Sequence, residues 1–158
     1  MRTVHIAWRP DEATFHARGT HVEHGITINA PRPPDEPGPP TGFSPTELLL
    51  AGIGSCSAWD VVRIARKARM AVTAVEVTVT GEQAPEPPWR YERIHLHFAV
   101  SGRGLQRRDV ERAIRLSCDR YCSVIATVRG VATTDWTLEI VDDEAGGPLP
   151  SPARQPTG

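Results

Sequence analysis

Apolar residues recur along this chain with two periods, and each change of period marks a new element. From Val4 to Ile28 apolar and polar positions alternate around Gly19 and Gly25. Val4, Ile6 and Trp8 fall on one face, as do Ile26 and Ile28, which predicts two or three short antiparallel strands. Residues 31–40 carry so many prolines that neither a helix nor a sheet ladder can form, because the backbone donors are missing. That stretch is a loop.

A helix start follows. Ser44 can serve as N-cap, Pro45 fits the first helical position, and Glu47 completes a capping box. The pattern predicts a helix running to about Arg69. Its first half, Leu48 to Ala58, has no charged residue and is rich in Gly, Ala and Ser; its second half, Asp60 to Arg69, is amphipathic. A helix apolar all round is buried all round. Each interior Gly costs about 1 kcal/mol relative to Ala, so Gly52 and Gly54 imply close approach of another backbone. The first half is therefore expected to lie between a sheet and a second element or subunit.

Val75, Val77 and Val79 alternate with Glu76, Thr78 and Thr80, and Ile94, Leu96, Phe98 and Val100 alternate with His95, His97 and Ala99. With the Pro-rich turn from Ala84 to Pro88 between them, these predict an antiparallel hairpin. Val110, Ala113, Ile114 and Leu116 have helical spacing. A break near Asp119–Tyr121, a short helix from about Cys122 to Arg129, and a last strand through Trp136, Leu138 and Ile140 follow. The order β-β-β-α-β-β-α-α-β is that of an α+β domain over residues 1–142. Residues 143–158, rich in Pro and Gly, are expected to be a disordered tail.

Net charge is −1, and the arginines are scattered rather than gathered into a stripe, which argues against a nucleic-acid partner. The N-terminus has no apolar signal-peptide core, and no apolar stretch is long enough to span a bilayer, so the expectation is a cytoplasmic protein without a membrane partner. In a reducing compartment its three cysteines are expected to be free, catalytic or metal-bound.

Cysteine often packs as a small hydrophobe, and the small-residue stretch around Cys56 suits that reading. A reactive Cys56 needs a lowered thiol pKa. It lies about three turns into its helix, beyond the reach of the dipole, so it would need a charged partner. Cys122 is better placed for dipole activation if the short helix begins there. Cys118 reads as a buried bystander. His95 and His97 share a polar strand face, yet no Cys-x-x-Cys or His-x-x-x-His spacing supports a metal site, so no metal or other cofactor is expected. Glu47 is accounted for by the capping box; orienting an arginine beside the thiol would be a second role, with Arg18 as the candidate.

The run from Ser44 to Val62, through Ala51-Gly52-Ile53-Gly54-Ser55-Cys56, resembles the central-helix signature of the OsmC/Ohr family. Tyr121-Cys122-Ser123-Val124 followed by Leu138-Glu139-Ile140 resembles that family's second cysteine and closing strand, and Ile94 to Leu105 also fits. Ser after the second cysteine is similar to the YhfA-like branch.

The resemblance implies an OsmC-like fold, with antiparallel sheets wrapped around a long central helix in an intertwined homodimer. It also implies peroxidase chemistry on a small hydroperoxide, with Cys56 attacking the O–O bond, Cys122 resolving the sulfenic acid, and a dithiol reductant resetting the pair. In the family's peroxidases a Glu directly follows the helix-start Pro. Here Thr46 takes that place and the acid is Glu47, a displacement of about 100° around the helix. A non-enzymatic dimer that binds a small apolar ligand or a protein partner is the alternative.

Overall fold

A computed structural model describes residues 3–9, 12, 14–19, 24–32, 35 and 38–142. They form two compact units that divide between Gly52 and Ile53, inside one helix. The tail expected over 143–158 and parts of the 31–40 loop lie outside the described residues.

The first unit holds the antiparallel strands β1 (His5–Arg9), β2 (Thr14–Arg18) and β3 (Gly25–Asn29), paired in sequence order. Their register puts Ile6 opposite Ala17, Trp8 opposite Phe15, and Ile26 and Ile28 opposite Ala17 and Phe15. These six therefore share a face. Ala17 and Ile28 are buried, but Ile6, Trp8 and Ile26 remain exposed. The unit ends in the first turns of α1 (Pro45–Lys67). There Glu47 N–H donates to Ser44 Oγ at 3.2 Å and Ser44 N–H donates to Glu47 Oε2 at 2.7 Å, which is the expected capping box.

The second unit continues α1 from Ile53 and adds β4 (Val72–Gln83), β5 (Tyr91–Gly102), α2 (Arg107–Leu116), a π-helical turn (Ser117–Tyr121), α3 (Ser123–Val128) and β6 (Thr133–Asp142). The hairpin β4–β5 is antiparallel as its alternation predicts, whereas β6 joins the other edge of β5 in parallel. A parallel neighbour needs a crossover, and the α2–α3 segment supplies it. Ile94, Leu96, Phe98 and Val100 of β5, Val110, Ala113 and Ile114 of α2, and Ile125 of α3 are all buried and make up much of the core.

Three features of α1 bear on its expected setting. First, its buried residues in this unit are Ile53, Gly54, Ser57, Val61 and Ala65, a single stripe within one chain. Trp59, on another side, is 69% exposed. The small residues serve one contact: a Cβ on Gly54 would lie 2.8 Å from Val79 Cγ2 of β4. Second, the helix stops at Lys67. Arg69 takes a left-handed φ of 56°, and bonds from Arg69 N–H to Arg66 O and from Met70 N–H to Ala65 O close a Schellman turn. Third, an 18-residue window of α1 reaches a mean hydropathy of 1.4, so α1 is long and apolar enough to cross a membrane by length and composition alone. Asp60 follows the uncharged stretch from Leu48 to Ala58, but Val61, Val62, Ile64 and Ala65 carry the apolar character past it. Core helices of water-soluble proteins meet the same criterion.

Candidate functional site

Cys56 sits beside the buried stripe of α1 and is half-buried. Ser57, next to it, is locked inward: its Oγ donates to Ile53 O at 2.8 Å and Gly54 O at 3.0 Å. Ser117 Oγ, at the start of the π turn, donates to Ser57 O at 3.1 Å and ties that turn to α1. Both serines are fully buried. This pair of anchors brings the α2–α3 connection against the helix at Cys56.

The expected break near Asp119–Tyr121 is the π turn, closed by Cys122 N–H donating to Ser117 O at 2.9 Å. Cys122, only 2% exposed, is the N-cap of α3, with its sulfur accepting from Ile125 N–H at 3.4 Å.

Burial and hydrogen bonding shift the Cys56 and Cys122 thiols in opposite directions. Burial pushes the Cys56 thiol up, but the bonds from Cys122, from Val124 N–H and from the Ser123 hydroxyl and N–H outweigh it, and the thiol is held below its ordinary value. Oriented hydrogen-bond donors stabilise a thiolate, as positive charges do. Cys122, expected to profit from its helix start, goes the other way. Burial, then its hydrogen bond to Cys56, push it up to about 11.

Cys118 is buried, as expected of a bystander, and burial followed by the nearby Cys122 and Asp119 push it up to about 12. Glu47 spends its carboxylate on the Ser44 cap, which lowers its pKa. Arg18 lies at the exposed end of β2, opposite Gly25. His95 and His97 face outward but are bonded: His95 pairs with Asp135, and both rings bond Thr137 Oγ1, at 3.0 and 2.9 Å. His97 Nε2 also lies 3.5 Å from Glu139 Oε2. Among the described residues no group of three or more His, Cys, Asp or Glu could hold a metal ion.

Ser123 is the residue that sequence reasoning missed. The signal was available: a Ser immediately after a cysteine that caps a helix presents both its N–H and its hydroxyl at the same end. A cavity of about 520 Å³ lies along the amphipathic end of α1, lined by Ile64, Lys67, Asp109, Arg112 and Tyr121 among others. No cysteine lines it.

Residues 38–137 match the family described as OsmC-like protein. Protein YhfA of Escherichia coli K12 is 41% identical over 98 residues, covering 62% of this chain and 73% of YhfA. A crystal structure of a hypothetical protein from Aquifex aeolicus VF5 is similar at a TM-score of 0.76 and 28% identity, over 90% of this chain and 97% of that one. An organic hydroperoxide resistance protein OsmC from Legionella pneumophila has a similar fold at a TM-score of 0.62 and 14% identity, over 87% of this chain and 96% of its own.

Proposed function

The chain belongs to the OsmC-like protein family, and on that footing we propose that it is a thiol-dependent peroxidase that reduces organic hydroperoxides through Cys56 and Cys122. The observation that carries this reading is the tie of the α2–α3 connection to α1: Ser117 Oγ donates to Ser57 O beside Cys56, and Cys122 caps α3 a few residues further on. Hydrogen bonds from Cys122, Val124 and Ser123 hold the Cys56 thiol below its ordinary value against its burial, while burial pushes Cys122 up to about 11. A thiolate is the nucleophile for an O–O bond, and a neighbouring thiol is the partner a sulfenic acid needs.

In this reading the Cys56 thiolate attacks the terminal oxygen of ROOH and releases the alcohol. The resulting sulfenic acid condenses with Cys122 to a disulfide, and water leaves. A dithiol reductant then restores both thiols by exchange. The protein acts in the cytoplasm, where such reductants are maintained. It acts as a homodimer, supported by the apolar residues left uncovered in one chain: Ile6, Trp8 and Ile26 on the first sheet, and Leu49 and Trp59 on α1.

The test is direct. Reduced protein is treated with one equivalent of cumene hydroperoxide, and its thiols are mapped by peptide mass spectrometry. A Cys56–Cys122 disulfide with Cys118 still free is the expected product. Both Cys56 and Cys122 remaining as free thiols would end the reading.

A further inference from the structure

Away from the cysteines, the cavity of about 520 Å³ at the end of α1 combines two kinds of lining. Ile64 of α1, Met70 just beyond it, Leu116 of α2 and Tyr121 of the π turn supply apolar surface. Lys67 and Arg112 bring two positive charges. Neither cation has a carboxylate within ion-pair distance among the described residues. Asp109, the acid among the lining residues, is approached instead by Arg108 Nε at 3.8 Å.

The surroundings reinforce the positive sign. A second cavity of about 440 Å³ shares Arg112 and Leu116 with the first and is lined also by Arg108, Arg115 and Arg120, with Glu111 and Asp119. Glu111 is engaged by Arg107 Nη1 at 3.2 Å. Arg108, Arg112 and Arg115 are four and three residues apart, so α2 gathers onto one face arginines that look scattered in the sequence. Like charges at that spacing destabilise a helix, and an anion beside them relieves the repulsion. A solvated helix face would explain the arginines but not the apolar lining beside them. Incomplete packing would explain the apolar lining but not two unpaired cations on it.

We infer that this cavity is a binding site for an amphiphilic organic acid, whose apolar body lies against Ile64, Met70 and Leu116 and whose carboxylate is held by Lys67 and Arg112. Its volume falls within the range of small-molecule sites, about 300–1,000 Å³. The Arg112 guanidinium can grip a carboxylate through two parallel N–H donors, and Lys67 adds a compact point charge. No cysteine lines the cavity, so the site stands whether or not Cys56 reduces peroxides.

Sodium octanoate is a suitable probe, with 1-octanol carrying the same chain uncharged and acetate the same charge without the chain. Binding to the full chain is followed by amide chemical shifts. Octanoate is expected to move the amides of Lys67, Met70, Arg112 and Tyr121 saturably, with octanol and acetate each binding about tenfold or more weakly. Shifts spread over the chain, as in surfactant-like adsorption, or no saturable binding, overturn the inference. Replacing both cations, Lys67→Met with Arg112→Met, removes the charges and keeps apolar stems. This double variant should bind octanoate about tenfold more weakly and octanol as wild type does. Unchanged octanoate affinity overturns the inference, and if the variant's oligomeric state also shifts, the groove is covered by a second copy instead. The wild-type shift map decides the matter even if the variant does not fold.

Discussion

Gly54 is where the setting of α1 on the sheet can be tested most sharply. On an exposed helix, Gly→Ala gains about 1 kcal/mol. Here the added Cβ would lie 2.8 Å from Val79 Cγ2 and 4.0 Å from Val77 Cγ1. Val79 is β-branched and cannot simply swing away, so overpacking costs about 1–3 kcal/mol, and Gly54→Ala is expected to destabilise by about 1 kcal/mol net. Val79→Ala alone removes half-buried methyl surface, worth about 1 kcal/mol. In the double variant the clash disappears and the helix gain of about 1 kcal/mol offsets the lost methyls, so it should unfold close to wild type. The cycle thus predicts a favourable coupling of about 2 kcal/mol, the amount by which the double variant exceeds the sum of the singles. Urea unfolding followed by circular dichroism at fixed protein concentration measures it, the concentration being held because association shifts apparent stability. Single effects that add to within about 0.5 kcal/mol, or a Gly54→Ala protein more stable than wild type, would refute the close approach of α1 to β4.

Two further outcomes follow from the titrations. Raising the Cys118 thiol from 9.0 to about 12 lowers its thiolate fraction about a thousandfold. Iodoacetamide at pH 8 should therefore label Cys56 first and leave Cys118 to the last in peptide mass spectra, and comparable labelling would contradict its placement. At the start of α1, Ser44→Ala should cost about 1 kcal/mol in the same urea assay. The Glu47 carboxyl is held below its ordinary 4.5 by its bond to Ser44 N–H, so its contribution is complete above that value and fades as pH falls through the lowered one. The stability gap between wild type and Glu47→Gln should accordingly be open at neutral pH and close in acid; a gap unchanged by pH would remove the carboxylate from the cap.

The elements were legible where a local rule governs them. Ser44, Pro45 and Glu47 name their helix start through hydrogen bonds made within three residues, and the valines of β4 name their strand by period alone. What was not legible depended on partners distant in the chain. The close approach of α1 to the sheet depends on Val79, more than twenty residues beyond Gly54, and the parallel pairing of β6 follows from the crossover rather than from the alternation of Trp136, Leu138 and Ile140. The two cysteines could be nominated from their surroundings, and the family resemblance assigned Cys56 the attack and Cys122 the resolution, but the groups that lower the Cys56 thiol could not be foreseen. The dipole argument favoured Cys122 because a sequence shows which residue begins a helix, not which sulfur receives that helix's free amides.

The reason those amides reach Cys56 lies in the break between α2 and α3. Had the α-helix continued, Cys122 N–H would bond Cys118 O, and Ser123 N–H would bond Asp119 O. The π turn sends Cys122 N–H to Ser117 O instead, one residue further back. This leaves two carbonyls and the first-turn amides of α3 without their helical partners, a debt that a buried segment must settle. The carbonyls are met by one side chain: the Arg129 guanidinium donates to Cys118 O at 2.8 Å and to Asp119 O at 3.2 Å. The amide of Ile125 is met by the sulfur of Cys122, and hydrogen bonding from Ser123 and Val124 lowers the Cys56 thiol. A continuous helix would have consumed these donors internally, and the Cys56 thiol, half-buried and beyond the reach of its own helix dipole, would then be raised by burial with no amide to oppose it. The one-residue slip in the π turn therefore connects a local backbone irregularity to the low thiol at Cys56, with Arg129 stabilising the slip from the other side.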